Sequence, residues 1–208
     1  MEPSHRDVRG LYSFAMIRIA ILIDGGHLRV ITRHAGHTYN PNYIEKVALA
    51  CVAQGETLFR CLNYDCAPFV GKTKLPVSGD THEFKGNDDW LKQLASKDLF
   101  AVRRGVLKFR GYKPKNVPIT PQGLTDADFK PDFEQKGVDM RIGLDIANFC
   151  RSKVVDRIIL ITADTDCIPA MKYARIAGLQ VALVSFPKQR LAAELVHHAD
   201  FRRNVAWP

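Results

Sequence analysis

The sequence predicts an α/β fold, a parallel sheet covered on both faces by helices, and three observations lead there. Short, almost wholly apolar runs such as "IRIAILID" (17–24) and "DRIILIT" (156–162) are strand-sized, and they alternate with stretches of helical periodicity. Strands that are apolar on both faces need cover on both, which an alternating order of strands and helices supplies. Several runs also finish in or just before aspartate, at the end where open parallel sheets hold ligands. The 208 residues, 46% of them hydrophobic, are enough to bury such a core as one domain.

The first strand ends at Asp24 and leaves through Gly25 and Gly26 into a glycine-rich turn. A helix follows in "NPNYIEKVALACVAQG", with Asn40 as N-cap, Pro41 at the first helical position and Gly55 past the end. "TLFRCLNYD" (57–65) is the second strand and closes on Asp65. Residues 66–86 mix Pro, Gly, Lys and Ser without periodicity and are expected to form a loop, after which Asn87 or Asp88 opens a short helix to about Lys97. "FAVRRGVLKFRGY" (100–112) is a third strand, in which Lys108 and Arg110 alternate with Leu107 and Phe109 to give one basic face. Such a stripe suits a guarded sheet edge as well as a nucleic-acid surface. From Lys113 to Gln135 four prolines break any pattern, so a long loop is predicted. "VDMRIGLDIANFC" (138–150) sets Ile142, Ile146 and Phe149 at helical spacing. The strand at 156–162, a helix in "DCIPAMKYARIAG" stopped by Gly178, and "QVALVSF" (180–186) as the last clear strand complete the order. Residues 1–15 show no regular pattern and are expected to be a disordered extension, with the domain at 16–208 and loop insertions near 66–86 and 113–135.

No apolar run approaches the roughly 20 residues that span a bilayer, and the charged N-terminal stretch lacks a signal-peptide core, so a cytoplasmic protein without membrane contact is expected. The five cysteines form no C-x-x-C pair and have no histidines at zinc-ligand spacing, which predicts reduced thiols near the core. Thirty Lys and Arg against twenty-two Asp and Glu give a formal charge of +8, favouring polyanions such as RNA or DNA, though solvated basic faces give the same excess.

Asp24, Asp65, Asp164 and Asp166 all fall at or just beyond a strand's carboxyl end, and Asp139 opens a helix that precedes such a strand. Two carboxylates about 4 Å apart repel by roughly 4 kcal/mol at an effective dielectric of 20, so a cluster of them calls for protons, basic partners or a cation. Oxygen-only ligation fits Mg²⁺ or Mn²⁺. Helix capping competes with this reading: Asp166 suits the N-cap of the helix from Cys167, and Asp139 suits a helix N-terminus. Asp24 resists that account best, because the two glycines after it permit close approach of another group. Asp145 lies about 120° around the helix from Asp139, a supporting position.

"ILIDGGHLR" with Asp24, "KGVDMRIGLD" (136–145) and "ITADTDCIPAMKYARIAGLQVALVS" (161–185), in this order, resemble the NYN domain, here of the LabA-like branch of the PIN-like nuclease superfamily. "NYD" at 63–65 and "RRGVLKFRG" at 103–111 are similar to further segments of that branch. The resemblance runs from about Arg18 to Phe186. It implies a doubly wound, mainly parallel, Rossmannoid sheet and a Mg²⁺- or Mn²⁺-dependent ribonuclease site with Asp24, Asp139, Asp164 and Asp166 as metal-binding, catalytic acids. His27 stands where the family often has Asn, and "TADTDC" where it has a fuller "SGDSDF". His27, Asp65, Asp145 and Thr162 are supporting candidates, and Lys136, Arg141, Lys172 and the 103–115 stretch are candidates for phosphate contact.

The chemistry expected is attack of an activated water on an RNA phosphorus. A haloacid-dehalogenase-like phosphatase reading of "DTD" fits poorly, because the motif begins at position 164 and leaves little chain for the remaining machinery. A catalytically inactive nucleic-acid-binding or regulatory module of the same fold is the rival from another class. The sequence leaves homo-oligomerisation open.

Overall fold

The computed structural model describes residues 16–119 and 122–208, so the expectation for residues 1–15 lies outside the described part of the chain. Its centre is β1 (Ile17–Asp24), paired in parallel with β2 (Glu56–Cys66) on one side and β7 (Arg157–Ile161) on the other. The seven-stranded sheet continues outward through β5 (Phe100–Pro114) to β6 (Phe129–Lys136), and through β8 (Gln180–Ser185) to β9 (Phe201–Asn204). Every pairing in it is parallel except β5 with β6. β3 (Gly71–Lys74) and β4 (Thr81–Phe84) form a separate antiparallel hairpin.

The period of two along β1 explains why both faces are covered. Ile19, Ile21 and Ile23 enter a core with Leu28 of α1 (Gly25–His34) and Ile44, Val47 and Ala48 of α2 (Pro41–Ala50). Ala20 and Leu22 point the other way, into a core with Ile142 and Ile146 of α4 (Val138–Ser152) and Met171 of α5 (Ile168–Ile176). β7 divides likewise, Ile159 and Ile161 to the first core, Ile158 and Leu160 to the second. The sheet is therefore doubly wound and mainly parallel, as the sequence predicts. α3 (Asp89–Ala95) lies where a short helix is expected, and α6 (Ala193–His197) precedes β9. The cap on α2 is also as expected, Asn40 Oδ1 accepting the Tyr43 amide at 2.9 Å. All five cysteines are free and buried. No helix among the described residues is long and apolar enough to cross a membrane.

Four stretches differ from expectation, one of them after β8, where α6 and the short edge strand β9 follow the strand expected to be the last. The glycine-rich turn after β1 is α1, because Gly25 and Gly26 carry poor helix propensity but Asp24 caps them. The 66–86 loop contains the β3–β4 hairpin, whose polar strands of four residues carry little alternation; it is held by Phe69 and Phe84 packing on Phe109 and Phe133. The 113–135 loop contains the end of β5, a 3-10 turn at Asp126–Asp128 and β6. Pro131 argues against a central strand, but β6 is the sheet's edge, where a missing N–H is tolerated.

Asp145 fastens α4 to the sheet. Its Oδ2 accepts the Tyr64 hydroxyl at 2.9 Å, and Arg103 grips both oxygens, Nε at 2.9 Å and Nη2 at 3.1 Å. Burial, with the Asp145 charge, holds the Tyr64 phenol well above its ordinary pKa, so it stays a donor. Tyr64→Phe is expected to lower unfolding free energy by about 1 kcal/mol in urea titration, and an unchanged midpoint would show that this bond adds nothing.

Candidate metal and active site

Asp24 ends β1 and also caps α1. Its Oδ1 accepts the His27 amide at 3.0 Å, and its Oδ2 accepts the Thr162 hydroxyl at 3.2 Å. Thr162 follows β7, the strand beside β1, so the register that pairs Ile23 with Ile161 brings the two side chains together. Thr162 Oγ1 in turn accepts the Asp164 amide at 3.1 Å, and Asp164 Oδ1 accepts the Asp166 amide at 2.9 Å. A chain of hydrogen bonds thus runs Asp24, Thr162, Asp164, Asp166 across the carboxyl ends of two central strands.

Capping is shared out differently from the sequence expectation. Asp24, which resists a capping account on sequence grounds, is a cap. Asp164 caps the 3-10 turn Thr165–Cys167. Asp166, the natural candidate, caps nothing: α5 begins after Cys167 without a side-chain cap and has a proline in its first turn.

Asp139 enters from α4, in whose first turn it lies after Gly137 at φ 76°, a left-handed conformation suited to glycine. One carboxylate oxygen each from Asp139, Asp164 and Asp166 lie within 4.8 Å of one another. Partial burial raises the Asp139 pKa, and the charges of Asp164 and Asp24 raise it further. A cluster that disfavours its own ionisation is short of positive charge, and a set of hard oxygen donors is what Mg²⁺ or Mn²⁺ takes. These residues therefore fit a divalent cation.

The sign of the linkage gives a test. In the metal-free protein the folded state binds the Asp139 proton more tightly than the unfolded chain does, so stability falls as pH rises from about 4 through the raised value. Above that window Asp139→Asn is expected to melt at the same temperature as wild type in EDTA or higher, and to lose most of the rise that Mg²⁺ or Mn²⁺ gives wild type. An apo variant that melts well below wild type would make Asp139 a structural carboxylate.

The other candidates lie around this cluster in distinct settings. His27 and Asp24 line an open cleft with Gly26, Val30, Gln135, Ala163, Asp164 and Thr165. Gln189 accepts the Phe186 amide through Oε1 at 3.0 Å, so its amide nitrogen faces His27 Nε2 at 2.8 Å and must donate to it. The ring is then neutral, in keeping with burial lowering its pKa against the smaller opposing pull of Asp24.

Asp65 stands outside the acidic cluster. It is fully buried, ion-paired with Arg29, and accepts the Cys66 amide at 2.7 Å, with the Tyr39 hydroxyl at 3.4 Å. It explains the first glycine of "IDGGH": a Cβ on Gly25 would sit 2.5 Å from Asp65 Oδ2 and 2.8 Å from the Tyr64 carbonyl. A Cβ on Gly26 would meet Gln135 Oε1 at 2.7 Å. Of the basic candidates, Arg141 turns back to the Gly137 carbonyl at 2.7 Å and Lys136 pairs with Glu134, while Lys172 is exposed on α5. Much of the basic stripe is likewise matched, Arg103 with Asp145, Arg104 with Asp88, Arg110 with Glu134 and Lys113 with Asp132.

Gln135, which lines the cleft, and Gln189, which holds His27, are residues that sequence reasoning missed. Neither carries a motif, and Gln135 falls in a stretch expected to be loop.

Comparison with known proteins supplies the relationship. No curated protein matches the chain. Among solved structures, a protein of unknown function from Vibrio parahaemolyticus shares the fold, with a TM-score of 0.52 at 19% identity over 93% of this chain and 96% of that one. The sequence profile of the NYN domain matches residues 77–203, which spans Asp139, Asp164 and Asp166 and more than half of the chain. By that match, the chain belongs to the NYN domain family.

Proposed function

We propose that this NYN domain, of the LabA-like type, is a Mg²⁺- or Mn²⁺-dependent ribonuclease that hydrolyses RNA phosphodiester bonds at the acidic cleft. The observation that carries the reading is the convergence of Asp139, Asp164 and Asp166 from two chain segments within 4.8 Å, at the carboxyl ends of the central strands. Asp139, Asp164 and Asp166 would hold the cation, which when bound supplies Lewis-acid charge at the phosphate and lowers the pKa of water.

The chain's own groups have defined tasks in this scheme. Asp24 keeps one oxygen on the His27 amide and the other on Thr162, which fixes the loop carrying Asp164. Neutral His27 and Gln135 border the cleft, offering uncharged polar groups to a phosphate that the surrounding carboxylates would repel. The chain's net charge of +8 draws RNA towards the protein as a whole.

The test is incubation of purified protein with labelled single-stranded RNA in EDTA, Mg²⁺ and Mn²⁺. Cleavage that needs the cation supports the enzyme. Binding without cleavage under all three conditions would favour a catalytically inactive nucleic-acid-binding module.

A further inference from the structure

α1 carries the acidic cleft onward into a second, chemically different groove. His27 and Val30 line the cleft, and Ile31 and His34, following on the same face of the helix, line the groove with Pro187, Lys188, Gln189 and Trp207. From His27 to His34 the helix advances about 10 Å at 1.5 Å per residue. Gln189 joins the two, its amide on His27 at one end and on the Phe186 backbone at the other. Whereas the cleft carries Asp24 and Asp164, none of the residues lining the groove is acidic.

The groove is also aromatic and cationic. Trp207 stacks on Phe186 with centroids 4.2 Å apart and planes 10° apart, and His37 and Tyr43 lie further along the same aromatic cluster. Lys188 is exposed, has no ion-pair partner among the described residues, and sits at φ 64°, an uncommon conformation for lysine that fixes the turn between Pro187 and Gln189. An aromatic and aliphatic wall beside an exposed cation is the chemistry that takes a base and its phosphate in single-stranded nucleic acid.

We propose that this groove seats a nucleotide flanking the scissile bond of single-stranded RNA, with the base against Ile31 and Trp207 and the phosphate at Lys188. The inference rests on the ribonuclease reading for its substrate, but its test needs no catalysis.

The chain has two tryptophans, so Trp90→Phe leaves Trp207 as the sole tryptophan, which can be excited selectively over the tyrosines. Titration of that protein with hexauridylate in EDTA is expected to change Trp207 emission saturably. Lys188→Glu and His34→Glu in the same background should weaken binding at least about fivefold with unchanged circular dichroism. Lys153→Glu, at the far end of α4, makes the same change in net charge as Lys188→Glu and should leave affinity within about twofold. Should Trp90→Phe fail to fold, anisotropy of labelled hexauridylate with wild type, Lys188→Glu and Lys153→Glu gives the same comparison. Binding with unaltered Trp207 emission, equal weakening by Lys188→Glu and Lys153→Glu, or no RNA binding at all would overturn the proposal. Metal-dependent cleavage by a protein whose Trp207 ignores RNA removes the groove and keeps the nuclease. A Trp207 response without cleavage in Mg²⁺ or Mn²⁺ keeps the groove and removes the nuclease.

Discussion

Asp166→Asn is expected to leave the domain folded and to cut RNA cleavage by at least about 100-fold, roughly 3 kcal/mol of transition-state stabilisation. The fold should survive because the Asp166 carboxylate caps no helix and is exposed, so asparagine costs the framework little. Activity should not, because asparagine cannot supply the negative charge that holds a hard divalent cation. RNA binding should persist or tighten, as one repulsive charge near the phosphate is gone. Asp24→Asn makes an instructive contrast. Asparagine caps about as well as aspartate, yet one of its two polar atoms becomes a donor, so the bond from Thr162 to Oδ2 is lost or reversed. Loss of cleavage is again expected, here with about 1 kcal/mol of destabilisation. Undiminished cleavage by both variants, with circular dichroism unchanged, would remove the acids from the chemistry.

Arg29→Met is expected to be the most destabilising of the single substitutions considered, at about 3–5 kcal/mol, because it strands a fully buried carboxylate. The guanidinium pairs with Asp65 and lies 5.3 Å from the Tyr39 ring centroid and 5.7 Å from that of Trp90, so methionine also forfeits two cation–π contacts. For a chain of this length such a loss lowers the melting temperature by roughly 10 °C or more. Asp65→Asn added to Arg29→Met should recover part of it, since the orphaned charge goes with it. A cost below about 1 kcal/mol for the single change would mean that Asp65 is adequately served by the Cys66 amide, Tyr39 and Gln135.

Asp65 also shows where the sequence stops being legible. Like Asp24, it is an acid near the end of an apolar strand, and position alone cannot separate the two. Its partner Arg29 lies on α1, a helix concealed by two glycines, the first of which is required because Asp65 and the Tyr64 carbonyl occupy the space of its Cβ atom. The basic stripe on β5 is a similar case. Its cations are plain in the sequence, but their partners Glu134 and Asp132 lie on β6, which Pro131 hides.

What could be read was whatever depends on local pattern. The apolar runs of β1, β7 and β8, the Asn40 cap and the face of α4 each declare themselves within a dozen or so residues, and together they give the doubly wound order. Asp139, Asp164 and Asp166 stand out through their places at helix and strand ends, and the fold brings them together. The assignment of caps was not readable, because Asp24 caps a helix that two glycines conceal and Asp164 caps a 3-10 turn that no apolar periodicity marks.

The central claim is that these carboxylates form a divalent metal centre, and anomalous scattering from crystals soaked in Mn²⁺ tests it most directly. Density is expected between Asp139, Asp164 and Asp166 in wild type and is expected to be lost in Asp166→Asn. Well-ordered crystals at saturating Mn²⁺ with no anomalous peak at that position would contradict it.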